Sequence, residues 1–136
     1  MGGVLTTRRS ENEPRGWGPL TLSVLRDIET HDSKASKSYY RTLARQYFFD
    51  LDASLAEILR ILRPGARAMI VVQTSYYKNV HVPLPDIVRE IAERHSGRAS
   101  VAQQEAVTQH FGHLSPHQRM YVQRKTLHEA VVDIMR

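Results

Sequence analysis

The sequence predicts an α/β domain, and three observations carry that expectation. Apolar residues recur at helical spacing from Ser38 to Leu62, a continuous apolar run Ala68–Thr74 follows a Pro-Gly break, and a second helical pattern opens at Pro85. Helix, buried strand and helix in that order, with two weaker strand-like segments behind them, belong to a fold in which helices cover a sheet. Only one segment reads as a parallel-type strand, so the chain looks like half a sheet.

Residues 1–37 are weakly organised. Gly2, Gly3, Pro14, Gly16, Gly18 and Pro19 punctuate them, which predicts a mobile arm over 1–18. Leu20, Leu22, Val24, Leu25 and Ile28 allow a short helix or packed segment over about 19–30. The division is therefore 1–37 as a flexible arm with a short helix, and 38–136 as the α/β domain.

In the long pattern, Tyr40, Leu43, Ala44, Tyr47, Phe48, Leu51, Leu55, Ile58, Leu59 and Leu62 step by three and four along one helical face. Asp50 and Asp52 read as solvating the outer face or a bend that splits the helix. Tyr39, Tyr40, Tyr47, Phe48 and Phe49 read as core, and those left uncovered for want of sheet partners predict association or poor solubility. Pro64-Gly65 ends the helix, with Arg60 and Arg63 laying their stems on the sheet edge. Ala68–Thr74, apolar throughout and β-branched in its second half, suits a strand buried on both faces. A loop over 75–83 follows. Pro85 and Asp86 suit a first helical turn, Ile87, Val88, Ile91 and Ala92 form the apolar face, and Ser96-Gly97 closes it. Ala99–Phe111 fits strand and helix equally poorly, and Leu127–Met135 reads as a terminal strand.

Composition narrows the function classes. The 136 residues include no cysteine, which removes disulfides, thiolate metal sites and thiol nucleophiles. No apolar run approaches the roughly 18–20 residues that span a bilayer, and no secretory signal is visible, so a soluble cytoplasmic protein without membrane contact is expected. Lys plus Arg total 19 against 14 acids, for a net charge of +5. Arg supplies 15 of those cations, and its planar fork suits phosphate and guanine. This balance is compatible with a nucleic-acid partner.

Residues 54–78, SLAEILRILRPGARAMIVVQTSYYK, resemble the class I methyltransferase segment that runs helix, R-V-L-(K/R)-P-G-(G/A), buried strand. The longer stretch 39–93 is similar to the post-catalytic half of amino-type DNA methyltransferases, with LSPHQRMY (114–121) and LHEAVVDIMR (127–136) resembling their closing loop and last strand. The resemblance implies a partial Rossmann-like methyltransferase fold lacking the N-terminal cofactor-binding half. The chain would supply a helix, a strand, a second helix and a terminal hairpin. Such enzymes move a methyl group from S-adenosylmethionine to the exocyclic amine of adenine or cytosine in double-stranded DNA. Within it, Gln73, Ser75, Tyr76 and Lys78, after the strand, would face the DNA or the extruded nucleotide, because ligands of open α/β sheets gather at the carboxyl ends of strands. Arg119, Tyr121 and Arg124, with Lys125, form a basic, aromatic-interleaved stretch suited to phosphates.

The departures from that family are equally specific. No F-x-G-x-G loop and no pair of adjacent prolines, as in the (Asp/Asn/Ser)-Pro-Pro-(Tyr/Phe) tetrapeptide, occurs in the sequence, so no catalytic or cofactor-binding residue is assigned. Gly16 and Gly18 flank Trp17 without a preceding buried strand. A truncated gene product, one subunit of a split enzyme completed by a complementary half, and a remnant with a binding role all remain open. S-adenosylmethionine is expected only in a completed enzyme. The alternative is a non-enzymatic basic module that binds DNA or protein, and self-association edge to edge is a further option. His110, His113 and His117 have a tempting spacing, but no cysteine or nearby carboxylate completes a zinc set, and no metal is expected. His81 and His128 read as structural or surface histidines.

Overall fold

The computed structural model describes residues 13–33, 39–107 and 126–136. In chain order these form α1 (Pro19–Glu29), α2 (Arg41–Ile61), β1 (Arg67–Gln73), β2 (Ser75–Tyr77), β3 (Val80–Val82), α3 (Leu84–Arg94), β4 (Arg98–Val107) and β5 (Leu127–Met135). Mixed α/β architecture is thus as expected, but its sheet is antiparallel: β5 lies between β1 and β4 and runs against both.

The helices follow from their apolar spacing. In α1, Thr21, Val24, Leu25 and Ile28 form the buried stripe, and Pro19 occupies a first-turn position where its missing N–H costs nothing. The buried stripe of α2 is Phe48, Asp52, Leu55 and Leu59. This helix runs unbroken through Asp50–Asp52, without the bend that the sequence left open as an alternative. Asp52 is a correction of another kind: it lies inward, 7% exposed, while Asp50 stays outside and accepts a bond from Gln46. The break after α2 forms a turn in which Gly65 adopts a left-handed φ of 79°. Its N–H donates to the Arg136 carbonyl, and Arg136 N–H donates to the Ala66 carbonyl. The Arg136 guanidinium also donates to the Arg60 and Leu62 carbonyls, closing the end of α2 where the helix dipole favours a cation. In α3, Pro85 and Asp86 sit in the first turn, and Ile87, Val88, Ile91 and Ala92 are fully buried. Ser96 takes the left-handed φ of 69°, while the N–H groups of Ser96 and Gly97 return to the Glu93 and Ala92 carbonyls, a Schellman closure.

Of the three helices, α3 packs directly on the sheet, against β1, β4 and β5, while α1 and α2 pack on α3 and on each other and α1 also meets β3. The core joins Trp17, Leu25, Phe48, Leu55 and the α3 stripe to Val132 and Ile134. This arrangement corrects the reading of the Ala68–Thr74 segment as a strand buried on both faces. β1 alternates: Ala68, Ile70 and Val72 turn toward the helices, whereas Met69 (69% exposed) and Val71 (61%) lie on the open face. The segment 75–83, expected as a loop, contains the β2–β3 hairpin, turned by Lys78 and Asn79 with Lys78 at φ 53°. Residues 98–107, ambiguous by pattern, are strand β4, with a register shift between Val101 and Gln103.

Trp17 is the main departure in the arm. It is 4% exposed, its indole N–H donates to the Phe48 carbonyl at 3.2 Å, and the Arg45 guanidinium lies 5.3 Å above its ring. Burying one indole brings a large apolar area into the core, enough to hold a Gly- and Pro-rich segment that local pattern alone leaves free.

Candidate functional site

The carboxyl end of β1 is built by Thr74. Its N–H donates to the His128 carbonyl at 2.8 Å, and its Oγ1 accepts the His128 N–H at 2.8 Å. Thr74 is 6% exposed, so the hydroxyl extends the β1–β5 ladder where the chain must reverse. The β2–β3 hairpin springs from that anchor. Its strands alternate sides, and this alternation divides the residues assigned to one substrate wall.

Tyr76 turns to a polar pocket of about 410 Å³, whose lining includes Thr74, His81, Asp86, Gln104 and His128. Its ring lies 4.9 Å from that of His81, tilted by 48°. Ser75 and Tyr77 turn the other way, into an apolar groove of about 430 Å³ with Tyr40, Tyr47, Phe48 and Leu84. Lys78 sits at the hairpin tip with Nζ 5.7 Å from the Tyr77 ring centroid. The hairpin is tied to the region after α1 by His31, whose Nε2 lies 2.6 Å from Asn79 Oδ1 and whose ring meets Tyr77 edge-on.

Ser75, Tyr76 and Lys78 therefore do not form one surface. Tyr76 lines the polar pocket, Ser75 lines the groove, Lys78 projects from the turn between them, and half-buried Gln73 ends β1 on the sheet's open face. Arg119, Tyr121 and Arg124 lie outside the described residues, as do Lys125 and the three histidines His110, His113 and His117. Among the described residues no group of three His, Cys, Asp or Glu side chains is placed to hold a metal.

The polar pocket has the volume of a small-molecule site and a lining suited to a planar polar ring. Tyr76 and His81 offer faces for stacking, while Gln104 and Asp86 offer hydrogen-bonding groups at the edge. Asp86 is also 3.4 Å from Arg89. His81 and His128, read from the sequence as structural or surface histidines, share this wall. The signal for the hairpin was available in Ser-Tyr-Tyr and Val-His-Val separated by the two residues Lys78-Asn79. Nothing local signals that β5 brings His128 beside it.

Gly16 and Gly18 have a different job from cradling a cofactor. The Glu90 carboxylate accepts hydrogen bonds from the N–H groups of Gly18, Leu20 and Thr21 and from Thr21 Oγ1, so the N-terminus of α1 already holds an anion. A Cβ at Gly18 would lie 2.5 Å from that carboxylate, and one at Gly16 would collide with Asp52 Oδ1. Asp52 in turn lies 2.9 Å from His95 Nε2. The Gly-Trp-Gly segment is thus a packed clasp, and its residues do not fit S-adenosylmethionine.

The aromatic stripe of α2 is only partly core. Phe48 is 2% exposed, but Tyr39, Tyr40 and Tyr47 are 61%, 39% and 50% exposed, and partial burial pushes the Tyr47 phenol above its ordinary value. Arg41 and Arg45 flank this stripe and pair with Glu29. Comparison with family models, curated proteins and solved structures finds no match to this chain.

Proposed function

We propose that this chain acts as the substrate-side half of a site-specific DNA methyltransferase, supplying one wall of the base cleft and contacts to the duplex. The observation that carries the reading is the polar pocket at the carboxyl end of β1, built within the element order helix, Pro-Gly turn, strand, helix, terminal hairpin that the sequence resemblance implies. In this reading Tyr76 and His81 stack on an extruded adenine or cytosine, and Lys78 meets phosphate. The net charge of +5 supports attraction to duplex DNA. Methyl transfer from S-adenosylmethionine belongs to a cofactor-binding half that these residues do not contain, and no catalytic step is assigned to this chain.

Titration of a fluorescently labelled duplex with the purified chain and with Tyr76→Ala and Lys78→Ala tests the wall. Loss of one stacking face is expected to weaken binding by about 1–3 kcal/mol, and loss of the lysine to lower both affinity and its salt dependence. Variants that bind like the parent would remove the hairpin from the interface. With labelled S-adenosylmethionine and DNA, the chain alone should transfer no label; transfer would refute its role as a half.

The lack of a Gly-rich loop and of a Pro-Pro motif in the sequence favours a second reading, a non-enzymatic basic DNA-binding module. That module would show the same salt-sensitive binding but would gain no methyl transfer when mixed with the cofactor-binding half of an amino-type DNA methyltransferase.

A further inference from the structure

We propose that β1 is a homodimerisation edge, along which two copies of this chain pair antiparallel about a twofold axis at Ile70. One edge of β1 is bonded to β5; along the other, no strand among the described residues pairs with it. Exposed edges are normally blunted by proline, lysine or a bulge. β1 has none of these over Arg67–Gln73, and its register with β5 runs without a shift.

The sequence of the edge is complementary to itself. With the axis at Ile70, Met69 of one copy faces Val71 of the other, Ala68 faces Val72, and Arg67 faces the uncharged Gln73. Those are same-face pairs throughout, as an antiparallel pairing requires, and they bring the exposed side chains of Met69 and Val71 together on the open face. Moving the axis to Met69 would set Val71 against Arg67, and moving it to Val71 would set Met69 against Gln73. Arg67 is already paired with Asp133 on the neighbouring strand, so the Ile70 register leaves no charge opposing a like charge. The result is isologous, and it joins two three-stranded sheets into one of six strands. The edge exists whether or not the chain binds DNA, so this inference does not rest on the methyltransferase reading.

Size-exclusion chromatography with light scattering at micromolar concentration reads the assembly, with circular dichroism confirming that each variant is folded. The chain is expected at twice its 15.6 kDa mass. M69K/V71K sets lysine against lysine across the axis and should give a monomer; M69K/V71E sets lysine against glutamate and should restore the dimer. Both positions are exposed, so neither change disturbs the core. A parent chain that is monomeric, a dimer indifferent to M69K/V71K, or a failure of M69K/V71E to recover association would each overturn the proposal.

Discussion

Glu90 closes the N-terminus of a helix to which it does not belong. Burial pushes its carboxyl up, but the hydrogen bonds from Thr21, Leu20 and Gly18 outweigh it and hold the group below the usual carboxylate value. A depressed carboxylate stabilises the fold fully above its unfolded pKa of about 4.3, and that stabilisation is lost as pH falls through the lower folded value. Glu90→Gln should therefore cost about 1–2 kcal/mol at neutral pH, the range for a lost cap, measured by urea denaturation. The gap between parent and variant should narrow as pH drops below the ordinary carboxylate range; a constant gap would mean that charge plays no part. Gly16 offers a second residue-level test. Gly16→Ala pushes a methyl group against Asp52, Ile91 and His95 and should cost about 1–3 kcal/mol, as overpacking does. Neither effect was legible in the sequence, because Glu90 and Gly18 meet across 72 positions of chain.

At the scale of elements, legibility follows locality. The long helix, the Pro-Gly break, α3 and the terminal strand are written in spacing and in residues with fixed backbone preferences, and they appear where those signals place them. β1 departs from its expectation because its apolar composition fits a doubly buried strand, whereas its exposure depends on which neighbours the sheet recruits: α3 packs on it, while Met69 and Val71 stay exposed on the opposite face. The candidate site was half legible. Its position after β1 followed from the strand, but the hairpin's alternation, which sends Tyr76 and Ser75 to opposite sides, did not. Thr74 is the hinge of that arrangement. Thr74→Val keeps shape while removing the acceptor for the His128 N–H, and should cost about 1–2 kcal/mol with faster hydrogen exchange at the His128 amide; unchanged exchange would show that the hydroxyl is not the anchor.

For the whole molecule, α3 lies on a small antiparallel sheet and α1 and α2 pack against α3, with a polar pocket at the end of β1 and, among the described residues, an unpaired β1 edge on the side away from β5. No helix among the described residues is long and apolar enough to cross a membrane. The excess of cations, dominated by arginine, bears on the partner rather than on the fold. If the pocket faces a duplex, affinity must carry the signature of released counterions. The most direct measurement is a fluorescence-anisotropy titration of a labelled DNA duplex with the purified chain across a series of salt concentrations. Our account predicts saturable binding at low salt whose logarithm falls linearly with the logarithm of salt concentration, with a shallower slope for Lys78→Ala. Absence of binding at low salt, or binding indifferent to salt, would contradict the DNA-facing role.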